Sequence, residues 1–163
     1  MTRILALTIL TLISATVLGQ NNTESLQNNV LLKKFCTELR IAINRKDKAK
    51  LATLCSFPFY CRPCIDDTTI KVKNHGAIKV SRALFYESQF KLFFDKPFKE
   101  KVNSDEFKPS LFQPAYNEKN QPRGFSFPYT IVAPSKNWEG LQGFVYLEKV
   151  TGQYKITGID TVP

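Results

Sequence analysis

GFVYLEKVTGQYKITGIDTV, residues Gly143–Val162, carries apolar side chains on both sides of a Thr151-Gly152 step. Phe144, Tyr146, Ile156 and Ile159 mark two half-buried strands, and a short polar pair between them is the signature of a tight hairpin. Just upstream, RGFSFPYTIVA (Arg123–Ala133) sets Phe125, Phe127, Tyr129, Ile131 and Ala133 on one face at period two. That spacing predicts a further strand, because successive side chains of a strand point to opposite sides. The C-terminal half therefore reads as antiparallel sheet.

The N-terminal half reads as helix. From Leu26 onward, Leu32, Phe35, Cys36, Leu39, Ala42 and Ile43 recur at helical spacing, with Lys33, Lys34, Glu38 and Arg40 mostly opposite. Asn44–Lys46 interrupts this run, and Asp47 suits the N-cap of a short second helix with Leu51, Leu54 and Cys55 on one side. Pro58 then favours extended chain before it, so the opening predicts a helical hairpin running into Phe57-Pro58-Phe59. TTIKVKNHGAIKV (Thr68–Val80) alternates Ile70 and Val72 with Ile78 and Val80 around an Asn74-His75-Gly76 turn. Ser81–Phe94 returns to helical spacing, with Ala83, Tyr86, Phe90, Phe93 and Phe94 on one face. Pro97 fits the first turn of another short helix, with Asp95 at its start. Helices first and antiparallel strands last make the expected fold class α+β, helices packed on one face of the sheet.

The chain has 163 residues and a formal charge of +9, with thirteen phenylalanines and six tyrosines. One domain with an aromatic-rich core or a lined cavity fits that length and composition. Seven glycines and nine prolines exclude a fibrous or low-complexity protein. MTRILALTILTLISATVLGQ begins with one cation, Arg3, followed by an uncharged apolar run and small residues at Val17 and Gly19. This predicts a signal peptide over 1–19 cut after Gly19, a polar leader over 20–25, a single domain over 26–163, and a secreted or periplasmic protein. The apolar run is too short for a transmembrane anchor. Export also brings Cys36, Cys55, Cys61 and Cys64 into an oxidising compartment, where a disulfide framework is expected but its pairing stays open.

Three stretches together, LCSFPF (Leu54–Phe59), SRALFYESQFKLFF (Ser81–Phe94) and GQYKITGI (Gly152–Ile159), resemble the nuclear transport factor 2-like (NTF2-like, SnoaL-like) superfamily over Leu26–Val162. The resemblance implies an N-terminal helical hairpin and a central helix packed on a strongly curved antiparallel sheet, forming a cone with an apolar pocket. It also implies a wide range of activities, from acid–base enzymes to binding and dimerisation modules, so the fold leaves function open. An exported bacterial member fits the leader best.

Four chemistries can be weighed on the residues. Cys61-Arg62-Pro63-Cys64 is spelled like a thiol–disulfide redox turn, but a redox cysteine starts a helix whose positive end stabilises the thiolate. Here IDDTTIKVK follows, which reads as turn and strand, and Asp66 and Asp67 oppose a thiolate while Arg62 favours one. A disulfide staple is expected instead. A zinc site would want two ordered ligand pairs, so no metal is expected. His75 is the only histidine, set in a turn with no nucleophile-elbow serine to serve. An acid–base site of the kind the resemblance implies would use a pocket carboxylate among aromatics: Asp160, Asp66 or Asp67 at strand ends, with Tyr86, Tyr129 and Tyr146 pointing inward. Of these, Asp160, Tyr86 and Tyr146 are the leading pocket candidates.

Lysines interleave with phenylalanines over Lys91–Lys101, as in single-strand nucleic-acid binders, yet helical spacing assigns those rings to a core and no nucleic-acid partner is expected. The leading reading is a non-enzymatic binding module without cofactor, taking a small hydrophobic ligand or a protein partner, with a homodimer through the sheet as one form. The alternatives are a small-molecule acid–base enzyme and a thiol–disulfide oxidoreductase.

Overall fold

The computed structural model describes residues 29–66, 76–117 and 119–162, the side chains of 65 and 66 excepted. The leader over 1–19 and 20–25, the strand expected around Ile70 and Val72, Asp67, His75 and the side chain of Asp66 lie outside the described residues.

Helix α1 (Val30–Asn44) starts at Asn29, whose side chain accepts a hydrogen bond from Leu32 N–H. It buries Leu32, Phe35, Cys36, Leu39, Ala42 and Ile43, the six residues that helical spacing selects. Helix α2 (Lys48–Thr53) is capped by Asp47 through Lys50 N–H at 2.8 Å. The expected break between the helices falls at Arg45–Lys46, Lys46 taking a φ of 52°.

Strand β1 (Cys55–Cys61) is the Phe-Pro-Phe segment, with a cis Phe57–Pro58 peptide bond. It is followed by β2 (Ile78–Val80), α3 (Arg82–Glu87), α4 (Lys96–Asn103), β3 (Gln113–Tyr116), β4 (Pro122–Val132), β5 (Leu141–Val150) and β6 (Gln153–Val162). The fold is α+β, with one six-stranded sheet in the order β2-β1-β6-β5-β4-β3. β5 and β6 form the closing hairpin, Thr151 and Gly152 both at positive φ as a two-residue turn requires. The sheet is mixed, not purely antiparallel: β1 runs parallel to β6, pairing Tyr60 with Gly158 and Cys61 with Ile159. That pairing joins residues nearly a hundred positions apart, with no turn signal to announce it. Its register shifts between Cys55 and Tyr60, where Pro58 has no N–H to give the ladder.

The continuous helix expected over Ser81–Phe94 is two pieces. α3 ends at Ser88, which leaves helical geometry (φ −143°, ψ −42°), and Gln89–Phe94 winds as a 3₁₀ turn. In the α-helical piece Phe85 is buried and Tyr86 is 41% exposed; three residues per turn then rotate the apolar face, so Phe93 is buried and Phe90 and Phe94 only partly so. Ring contacts explain the choice: Phe85 meets Phe57 at 5.4 Å and Phe93 at 6.1 Å, and Phe93 meets Phe98 of α4 at 5.3 Å. From Phe98 the series runs on to Phe127 of β4, which also touches Phe107 and Phe112. Edge-on phenyl rings thus fill the layer between helices and sheet. Arg40 of α1 ties this layer to α4, its guanidinium donating to the carbonyl of Val102 in the last turn and to those of Ser104 and Phe107 beyond it.

Among the described residues no helix is long and apolar enough to cross a membrane.

Candidate functional site

Residue parity divides the sheet into two faces. Phe59, Val145, Leu147, Ile156, Phe127 and Tyr129 point to the helices and are buried in the core. Their strand neighbours Tyr60, Tyr146, Asp160 and Glu148 point the other way. None of these four belongs to the core or packs against it. That second face holds a groove of about 300 Å³.

Its floor comes from three adjacent strands. Tyr146 of β5 pairs with Gly158 of β6, which in turn pairs with Tyr60 of β1. A glycine therefore lies between two tyrosines, and Tyr146 leans over it: a methyl group on Gly158 would sit 3.6 Å from Tyr146 Cδ2. An aromatic ring covering a cross-strand glycine shields otherwise exposed backbone. The β5–β6 register shifts beside this row, between Tyr146 and Leu147. Such an irregularity lets Ile156 and Ile159 both face the core while Gly158 and Asp160 face the groove.

Asp160 closes one end. Arg62, just past β1, donates from Nε to Asp160 Oδ1, and Thr161 N–H reaches the same oxygen at 2.7 Å. The pairing is a consequence of the parallel ladder, which continues through Arg62 N–H to Ile159 O at 2.9 Å. At the other end Arg123 of β4 donates from Nε to Glu148 Oε1 at 2.7 Å. Tyr116 and Asn117 complete that wall. Asn117 Oδ1 accepts from Lys119 N–H and Gln121 N–H, holding the β3–β4 turn in place. Burial raises the pKa of Tyr146 above the usual tyrosine value, the negative charge of Asp160 adding to the rise and Arg62 opposing it. Its hydroxyl is a proton-bearing donor at neutral pH.

Of the leading candidates, Asp160 and Tyr146 come together in this groove, and Tyr86 does not line it. Tyr86 instead stacks edge-on against Phe85 on α3. Tyr129 lies on the opposite face beside a separate cavity of about 310 Å³, which Asp95 also lines. Asp95 precedes α4 but makes no side-chain cap bond to it, and burial raises its pKa. Burial, and secondarily the charge of Asp95, pushes Tyr129 up to about 12.

Cys61 and Cys64 form a disulfide with Cα atoms 5.4 Å apart. Cys61 ends a strand and Cys64 sits in the 3₁₀ turn Pro63–Asp66, both buried, so among the described residues no long helix begins at the pair. The framework expected of four cysteines is formed here by one bond; Cys36 and Cys55 are buried thiols. Burial, the largest influence on each, raises both to about 12, so neither is a ready nucleophile. Among the described residues no group of three His, Cys, Asp or Glu side chains is placed to hold a metal ion.

Comparison with protein-family profiles, curated proteins and solved structures finds no match to this chain. The groove must be read from its own chemistry.

The groove residues that sequence reasoning missed include Tyr60, Tyr116, Asn117, Gly158, Arg123 and Glu148, with Arg62 noticed only as a neighbour of thiols. One signal was present: Tyr60 alternates with Phe59 and Cys61, so it had to face away from them. Which strand would lie beside it was not written locally.

Proposed function

We propose that this chain is an exported, non-enzymatic binding module of NTF2-like architecture, whose ligand site is the groove on the open face of the sheet. The cone reading rests on the order of elements and on helices that stack to one side of the strands. Export rests on the apolar leader and agrees with a disulfide in the folded chain. The observation that carries the binding assignment is a contrast within one sheet. The helix-facing side is packed with interlocked phenyl rings apart from the cavity beside Tyr129, while the other side keeps a groove lined by Tyr60, Tyr116 and Tyr146.

Binding is favoured over acid–base catalysis at this groove because its carboxylates are engaged. Asp160 and Glu148 are each held by an arginine, so neither carboxylate stands alone at the groove as a positioned base. Redox chemistry at Cys61 and Cys64 lacks a helix N-terminus to stabilise a thiolate. A second reading has one observation behind it. Asp95, with its raised pKa, shares a cavity with the proton-bearing Tyr129, an arrangement suited to general acid–base work on a small molecule.

Fragment screening by amide NMR decides between them. Shifts centred on Tyr60, Tyr146 and Gly158, lost in Gly158→Leu, support the groove. Shifts centred on Asp95 and Tyr129 support the second reading. Concentration-dependent broadening across the open face with no fragment added would instead assign that face to a homodimer.

A further inference from the structure

Resting on the reading of the open-face groove as a binding site, we infer that its ligand is a neutral saccharide, gripped by the ring faces of Tyr60, Tyr116 and Tyr146 and by the paired charges at the two ends.

Three features converge on that chemistry. The first is aromatic surface held out to water. Tyr60 is 51% exposed and Tyr116 is 57% exposed, and together with Tyr146 they line one groove. A phenol ring presents a flat apolar face with negative potential, which suits the polarised C–H bonds on one face of a pyranose. Lys79 Nζ sits 5.4 Å from the Tyr60 ring centroid, so the negative face of that ring already attracts positive charge.

The second is the floor. Gly158 has no side chain, so the Tyr146 ring lies across the row toward Tyr60 and itself lines the groove, a flat surface on which a sugar ring can settle. The volume of about 300 Å³ falls at the small end of small-molecule sites.

The third is the state of the charges. Arg62 neutralises Asp160 and Arg123 neutralises Glu148, so a chain of formal charge +9 carries no excess cation among these four residues. An anion gains little there. A purely apolar ligand would strip water from two carboxylates and offer nothing in return. Asp160 takes both of its hydrogen bonds on Oδ1, and Glu148 takes its arginine on Oε1. Their second oxygens have no hydrogen-bond partner among the described residues and remain as acceptors. A sugar hydroxyl donates and accepts at once, so it can bridge a carboxylate oxygen and a neighbouring guanidinium without a change of charge. Rings that stack, polar pairs that are already balanced and a slot of small-molecule size together describe a polyhydroxylated, uncharged ligand.

The test titrates the full chain with three neutral hexasaccharides, maltohexaose, cellohexaose and N-acetylchitohexaose. A hyaluronan hexasaccharide serves as the anionic comparator and 2-naphthol as the apolar one, all followed by amide NMR. The expected result is saturable shifts at Tyr60, Gly158 and Asp160 with at least one neutral sugar, unchanged between low and high salt. Tyr60→Ala should weaken that binding about tenfold, since the ring supplies stacking and its exposure leaves the core untouched. Gly158→Ala is the second variant, because its new methyl group meets only ordinary contacts at 3.6 Å or more and narrows the slot without unfolding it. Naphthol at the groove with no neutral sugar there overturns the saccharide inference and leaves the binding site standing. Binding of hyaluronan alone, collapsing with salt, overturns it as well. Silence at the groove from every probe overturns both.

Discussion

Tyr129 over Gly143 and Tyr146 over Gly158 are the same cross-strand pairing on opposite faces of one sheet. On the helix side Tyr129 is pressed so close that a methyl group on Gly143 would lie 2.3 Å from its Cε1. On the open side the equivalent distance at Gly158 is 3.6 Å. Helices and phenyl rings press Tyr129 onto its glycine from above, whereas no layer of the described residues covers Tyr146. One arrangement is packing and has no room; the other keeps a slot. A fold can use one local device as filler where a second layer covers it and as the floor of a site where none does.

The sharpest way to break this comparison is at the closed face. Phe127→Ala removes the ring that Phe98, Phe107 and Phe112 all touch, and should cost about 4 kcal/mol in denaturant unfolding. A loss under about 1 kcal/mol would mean that this layer is loosely packed. Next comes the glycine pair itself. Gly143→Ala should cost about 3 kcal/mol through overpacking, while Gly158→Ala changes stability by less than about 1 kcal/mol. Equal costs would erase the distinction between the faces.

The disulfide lies between these extremes. It closes a four-residue loop, so reduction should lower stability by about 2 kcal/mol in the chain-entropy account. Thiol counting without reductant should find two reactive groups in denaturant and none in the native protein, since Cys36 and Cys55 are buried. Four in denaturant would deny the bond.

A pH series sharpens the same contrast. Burial holds Cys36 and Cys55 near 12 in the folded chain, against 9.0 for an unperturbed thiol. Below pH 9 both folded and unfolded chains keep the protons. Between pH 9 and 12 only the unfolded chain releases them, so stability falls as pH rises through that window. Cys55→Ala should flatten the alkaline decline; an unchanged slope would show that the thiol is not sealed in the core. The smallest effect belongs to the open face. Arg62 and Asp160 are 43% and 34% exposed, so solvent screens their pair, and Asp160→Asn should cost about 0.5 kcal/mol or less.

Much of the fold could be read along the chain where one element's own period carries the signal. The buried face of α1, the Asp47 cap, Pro97 in the first turn of α4 and the Thr151-Gly152 hairpin all depend on neighbours a few residues away. Ser81–Phe94 was harder, because five aromatics in fourteen residues satisfy helical spacing several ways. Contacts with Phe57 and Phe98 chose the break at Ser88 and turned Tyr86 outward. The candidate site was half legible. Asp160 and Tyr146 carry groups worth noticing in any context, whereas Gly158 and Tyr60 acquire meaning only side by side.

By itself the amino-acid order determined the α+β class, the hairpin, the helical faces and an aromatic core, because periodicity and turn chemistry are local. Tertiary structure alone decided that β1 lies parallel to β6, that Cys61 takes Cys64 as its partner, and that Arg62 meets Asp160. The first and last of these join positions far apart in the chain, where competing pairings look alike until burial and backbone hydrogen bonding of the whole sheet select one. The groove exists because of that selection: it needs Tyr60, Gly158 and Tyr146 in one row, and no local pattern puts them there.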